Sequence, residues 1–213
     1  MSDKTKPPGQ SAEPEASTRD RILAAATTEF ARLGKAGARV DAIAHRAEVN
    51  KAMIYYHFQS KDNLYGEVIK QYFRFVRDKL VRSVRESASA EELLTAVAAT
   101  YTGLFTVVEE FRPIMLRELA DPDSDLLDQL AAIIRDAHLP QQLMELLSDN
   151  MAAGTYRELD LRQTLLSFIT MNIGYPLIAP LANKALEIAD AGEFMAQRKN
   201  AVVDLFLNGL KAR

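Results

Sequence analysis

The 213-residue chain contains no cysteine. Disulfides, thiolate metal sites and thiol redox sensing are thereby excluded, and a reducing cytoplasmic setting is the expectation. The first residues hold no apolar stretch, so no secretory signal is expected. No segment alternates apolar and polar residues with period two, as a strand or hairpin would require. A Gly-rich phosphate loop, a nucleophile elbow and a His/carboxylate metal cluster are all missing. His45 and His138 lack a partner at metal-ligand spacing. These gaps argue against an enzyme and call for no cofactor or metal. Charge is also missing between Gln163 and Asn183, about the length that a bilayer crossing needs. Gln163, Asn172, Asn183, Gly174, Pro176 and Pro180 interrupt that stretch, and such mixed polarity fits a buried helix of a soluble protein better than a membrane span.

What charge there is has an uneven distribution. The whole chain carries a formal −3, but residues 1–65 carry a net +2 and the remainder a net −5. Between residues 32 and 61, Arg32, Lys35, Arg39, Arg46, Lys51 and Lys61 face only Asp41 and Glu48. A basic patch of this kind in an acidic chain points to a nucleic-acid partner for the N-terminal part alone.

Residues 1–16 are polar and proline-containing, and read as a disordered tail. Everything after them reads as helix, so the fold class is all-α. Ser17 with Asp20, Ser89 with Glu92, Asp160 with Gln163 and Asp190 with Glu193 have the spacing of capping boxes. Asn50 and Ser60 are further N-cap candidates. Gly34, Pro113, Pro122, Pro140, Gly154, Pro176 and Pro180 mark stops or breaks. The expected helices cover 18–33, 40–47, 51–57, 61–84, 90–110, 113–120, a segment bent near Pro140 and reaching about 153, 161–175 and 192–210.

Three of these helices make a small core. Ile22, Leu23, Ala26, Phe30 and Leu33 form a helical stripe. Val40, Ile43, Ala44 and Ala47 face it from the second helix, and Ile54 and Phe58 from the third. Ala44 and Ala47 are small where helices would cross. Glu48-Val49-Asn50 is a short link, with Val49 as its apolar plug and Asn50 as the next cap. A helix-turn-helix needs such a tight link and a second helix with a free polar face. Lys51 starts that face, within reach of a base edge or a phosphate. Tyr55, Tyr56 and His57 follow, each a stiff ring ending in a group suited to phosphate, although the tyrosines would also serve as half-buried packing. Lys61 opens the fourth helix, where backbone N–H groups and the dipole favour a phosphate.

From Arg21 to Tyr65 the chain resembles the tetracycline-repressor (TetR) family. ILAAATTEFARLG and VDAIAHRAEVNKAMIYYHFQSKDNLY carry the resemblance. It implies that VNKAMIYYHF holds the recognition helix and its cap, with Lys51, Ala52 and Met53 nearest the bases. Tyr55, Tyr56, His57 and Lys61 would clamp the backbone. Lys35 and Arg39 depart from the pattern: many members have an aromatic at the first position and Ser or Thr at the second. Lys35 cannot plug the core, and Arg39 cannot cap the second helix as a hydroxyl would. Arg39 instead becomes a candidate base or phosphate contact.

The sequence divides into residues 17–62 as a DNA-binding domain and 63–213 as a ligand-binding and dimerisation domain. The last two helices are apolar on more than one face. The extra stripe needs a second partner, and another copy of the chain is the simplest one. The resemblance likewise implies a homodimer through these helices on a palindromic double-stranded DNA operator. Tyr101, Phe105, Phe111, Met115, Met144, Met151, Phe168, Met171, Asn172 and Tyr175 are the candidate lining of a small-molecule pocket, unless they only fill the core. The expected function is a ligand-responsive repressor released by a small, largely apolar molecule. An activator of the same fold and a helical binding protein without DNA recognition are the alternatives.

Overall fold

The computed structural model describes residues 17–87, 89–107, 111–121 and 124–212. Among these there are ten α-helices and no strand: α1 (Thr18–Gly37), α2 (Val40–Arg46), α3 (Lys51–Phe58), α4 (Lys61–Glu86), α5 (Ala90–Val107), α6 (Phe111–Leu119), α7 (Asp125–Asp136), α8 (Leu139–Ala152), α9 (Leu161–Ala185) and α10 (Ala191–Leu210).

The caps read from the sequence are in place. Ser17, Asn50, Ser60, Ser89, Asp160 and Asp190 accept from the backbone N–H of Asp20, Ala52, Asn63, Glu92, Gln163 and Glu193 at 2.8–3.2 Å. Each bond satisfies a donor that the first helical turn leaves orphaned. Gly34 breaks α1 with φ 69°, so the helix proper ends where expected and one further turn leads to α2. The bent segment near Pro140 is two helices, α7 and α8, joined through His138 at φ 53°.

One expected stop does not act. α9 continues through Pro176 and Pro180 to Ala185. Each proline removes a ladder hydrogen bond, and neighbouring contacts hold the chain in register. Tyr175 Oη donates to Asn183 Oδ1 at 2.7 Å, spanning both prolines, and the Tyr175 ring packs on Phe194 and under the Arg198 guanidinium. α9 is also the one helix among the described residues that is long and apolar enough to cross a membrane. It packs in the bundle against α5, α6, α8 and α10, with Thr164 and Asn172 buried.

The apolar side chains form two cores. The first joins α1, α2 and α3 to α4, α6 and α7 through Ile22, Phe30, Ile43, Ile54, Leu64, Ile69 and Ile114. It therefore runs across residue 62, the expected domain boundary. The second joins α5, α8, α9 and α10 through Leu94, Val97, Leu147, Phe168, Val202 and Phe206.

Because Asn50 caps α3 without help, Asn50→Ala should lower stability by about 1 kcal/mol, while Asn50→Asp keeps most of it. Urea unfolding followed by circular dichroism checks this, and an unchanged midpoint for Asn50→Ala would remove the cap from the account.

Candidate nucleic-acid interface and internal cavity

The α2–α3 unit is built from a turn that the sequence makes tight. Ala47 N–H donates to Ile43 O and Val49 N–H to Ala44 O, at 2.9 and 3.0 Å. Glu48 takes a positive φ of 54° to close the link. Val49 is half-buried against the first core, and Ala44 and Ala47 are buried where α1 and α2 meet. α3 turns Ile54 and Phe58 inward, which leaves Lys51, Ala52, Tyr55 and Tyr56 exposed. Tyr56 is the most open large apolar side chain described, at 78%. Met53 is half-buried against the core.

The charged groups already have protein partners. Lys51 Nζ pairs with Asp41 Oδ1 at 2.8 Å, and the hydrogen bond to Asp41 holds its ammonium above the ordinary lysine range. Lys61 Nζ donates to the carbonyls of Ala36 and Ala38 at 3.4 and 3.3 Å, so it ties the α1–α2 link to the start of α4. His57 Nε2 is closed off from solvent and has no hydrogen-bond partner among the described residues. Arg39 is exposed at the N-cap of α2 and makes no side-chain cap bond. Lys35 replaces a core plug with a charge above a ring: its Nζ lies 5.7 Å from the Tyr65 centroid and 3.2 Å from Asp62.

One residue at this site had no signal in the sequence beyond its place in an apolar stripe. Glu29 is buried at 3% exposure and meets Arg32 at 3.1 Å and Arg46 at 3.3 Å. A buried carboxylate persists only when paired. Glu29 thus clamps the last residue of α2 to α1.

A cavity of about 260 Å³ lies between the two cores. Its longest wall is the α4 row Tyr72, Val76, Leu80 and Val84, faced by the α9 row Leu165, Ile169, Ile173 and Leu177. Of the candidate lining residues, Tyr101, Met115 and Phe168 border it. Phe111 stacks on Tyr72 from the side at 3.7 Å between centroids. Met151 and Met171 pack on the second core, and Met144 is half-buried on α8. Asn172 donates to Phe168 O in its own helix, and Tyr175 is taken up by Asn183. The Phe105 side chain lies outside the described residues. Selecting adaptable Met and aromatic residues missed the aliphatic rows, whose i, i+4 spacing is visible in the sequence.

With this geometry in hand, the chain can be compared with known proteins. Residues 22–68 match the model of the bacterial regulatory proteins of the tetR family. The chain is 48% identical over 59 residues to the HTH-type transcriptional repressor SCO4008 of Streptomyces coelicolor, covering 28% of this chain and 30% of that protein. It is 30% identical over 114 residues to the HTH-type transcriptional repressor NicS of Pseudomonas putida, covering 54% of each. The chain thus spans between about a third and about half the length of these curated relatives. The fold matches the transcriptional regulator FadR of Bacillus subtilis, solved in complex with stearoyl-CoA, with a TM-score of 0.71, 20% identity, and coverage of 89% of this chain and 98% of that one. Residues 22–68 thus carry the N-terminal helix-turn-helix of the tetR family of bacterial regulatory proteins, on a fold shared with FadR.

Proposed function

We propose that the protein is a ligand-responsive transcriptional repressor that binds a palindromic double-stranded DNA operator as a homodimer in the cytoplasm. The observation that carries this reading is the exposed face of α3. Lys51, Ala52, Tyr55 and Tyr56 stand clear of the core on the second helix of a helix-turn-helix, with Arg39 exposed at the entrance to α2 and without a side-chain cap bond. In this reading residues 17–62 are the DNA-binding unit, and Asn50 sets the depth of α3. Lys51, Ala52 and Met53 lie toward the bases. Arg39, Tyr55, Tyr56, His57 and Lys61 lie toward the phosphates. Lys61 spends two of its three donors on carbonyls and keeps one for a phosphate. With Nε2 closed off, the contact from His57 falls to Nδ1.

Residues 63–213 form the ligand-binding and dimerisation unit in the same reading. Support for a ligand is the apolar cavity between the cores. Support for a dimer is the apolar surface of the last two helices, where Leu166, Ile178, Leu181 and Leu205 are 56–69% exposed. Two heads must sit about 34–36 Å apart to read successive major grooves. A ligand that prefers another arrangement of α4–α7 changes that spacing, and does so only by its difference in affinity for the two states.

The protein should bind DNA from its own upstream region in low salt, with affinity falling steeply as salt rises. Tyr56→Phe and Arg39→Ala should each weaken operator binding several-fold with the fold unchanged, as measured by fluorescence anisotropy. Unaltered affinity would take those side chains off the contact list, and no binding to upstream DNA would sink the repressor reading. The double variant Leu181→Glu with Leu205→Glu should sediment as a monomer and lose the operator. A dimer surviving both changes would place the interface elsewhere.

A further inference from the structure

The cavity wall is aliphatic and aromatic almost throughout, with two exceptions of different kinds. Arg77 borders the cavity, but its side chain is 37% exposed and its Nε and Nη2 already donate to Asp78 Oδ1 at 2.9 and 2.7 Å. Its charge is directed to the solvent side. Tyr72 on α4 and Tyr101 on α5 also border the cavity, and neither hydroxyl has a hydrogen-bond partner among the described residues. Of the other buried tyrosines, Tyr65 donates to Glu118 at 2.6 Å and Tyr175 to Asn183, and Tyr156 lies away from the cavity wall. Polar groups in an apolar wall are normally bonded, so two unpartnered hydroxyls facing the cavity point to an acceptor that the wall does not supply.

Burial pushes both phenols up to about 12, with the Tyr101 neighbour adding to the effect on Tyr72. They therefore stay protonated across the physiological range and keep an O–H to donate. An ionised group brought between them would lose its hydration without meeting a cation. A neutral oxygen acceptor gains hydrogen bonds and carries no such penalty. The rest of the wall sets the shape of the ligand. From Tyr72 to Val84 the α4 row runs about 18 Å at 1.5 Å per residue, which suits an extended skeleton more than a compact one.

We propose that the cavity binds an elongated, uncharged apolar molecule carrying a carbonyl oxygen, which the Tyr72 and Tyr101 hydroxyls recognise. This deepens the ligand-responsive reading above and rests on it only for the consequence on DNA, since the binding itself is a property of the cavity. The oxygen supplies the missing acceptor for the phenols, and the α4 and α9 rows enclose the skeleton. Arg77 contributes packing through its methylene stem and is not required for recognition.

The test uses three twelve-carbon probes on the full-length protein: dodecane, 2-dodecanone and dodecanoate. Isothermal titration calorimetry should rank 2-dodecanone tightest, by about tenfold over dodecane. Tyr72→Phe and Tyr101→Phe should each erase several-fold of that advantage while leaving dodecane binding within a factor of two. Arg77→Ala should leave the ranking as it is. The proposal is overturned if dodecanoate binds tightest and loses that lead in Arg77→Ala, because the cavity then reads an anion at its edge. It is equally overturned if both tyrosine variants keep the full preference for the ketone, or if no probe binds. Binding of 2-dodecanone that leaves the operator complex intact in the anisotropy assay would keep this proposal and count against the ligand-controlled repressor.

Discussion

Arg117 donates from Nη1 to the carbonyl oxygens of Phe30 and Ala31, both at 3.2 Å. Through that contact α6 holds the end of α1, and with it the whole helix-turn-helix, against the body of the protein. The last turn of a helix leaves carbonyls without intrahelical donors, and Gly34 ends the regular run just beyond these two. The guanidinium packs beside Gly34, its Nε 3.5 Å from where a Cβ would stand, which is ordinary contact. What requires glycine here is the positive φ of 69°. The next residue completes the joint. Glu118 accepts from Tyr65 Oη at 2.6 Å and from Ser124 Oγ at 2.7 Å, so α4 and the start of α7 are fastened to the same helix.

That joint gives α6 a double address. Arg117 and Glu118 face the head and α4, whereas Met115 and Leu119 of the same nine-residue helix border the cavity. α4 has the same property over a longer distance: Leu64 and Tyr65 belong to the head core, and Tyr72 through Val84 form the cavity wall. Two elements, α4 and α6, therefore connect the cavity wall directly to the base of the head. Physical intermediacy of this kind supplies a route, and the size of the effect is set by how differently an occupant binds the two arrangements.

Much of this was legible because the signals were local. A cap and its N–H are two or three residues apart, so Ser17, Asn50, Ser60 and Asp160 announced the helix starts. Gly34 announced an end because only backbone without Cβ enters that region cheaply. The helix-turn-helix was legible for the same reason, since its link, plug and cap fall within Ala47–Asn50. The signals that misled or were silent are tertiary. Pro176 and Pro180 read as breaks, and the Tyr175–Asn183 bond and the Phe194 and Arg198 packing that override them cannot be seen along one chain segment. The cavity was half legible. Residue type picked out Tyr101, Met115 and Phe168, but which of the two apolar stripes of α9 would face α4 depends on how the helices pack. Glu29 sat in an apolar stripe with nothing to mark its role, because its partner Arg46 comes from 17 residues away.

The head poses an electrostatic problem that its own ion pairs resolve. In the proposed complex an acidic chain meets a polyanion, yet most cations of the head are engaged: Arg19 with Glu67, Arg32 and Arg46 with Glu29, Lys35 with Asp62, Lys51 with Asp41. These pairs are not equivalent. Glu29 is buried, so its arginines are structural and their release would strand a charge in the core. Asp41 and Asp62 have side chains 73% and 70% exposed, and exposed pairs contribute only about 0–1 kcal/mol. In the proposed complex a phosphate arriving at α3 displaces Asp41 from Lys51 at little cost, and until then the pair keeps the lysine over the α2–α3 face. Arg39 needs no such exchange. In the proposed complex it is the cation of the α2 entrance that meets DNA with all its donors free, which makes the residue that departs from the family pattern also the one with the most to contribute.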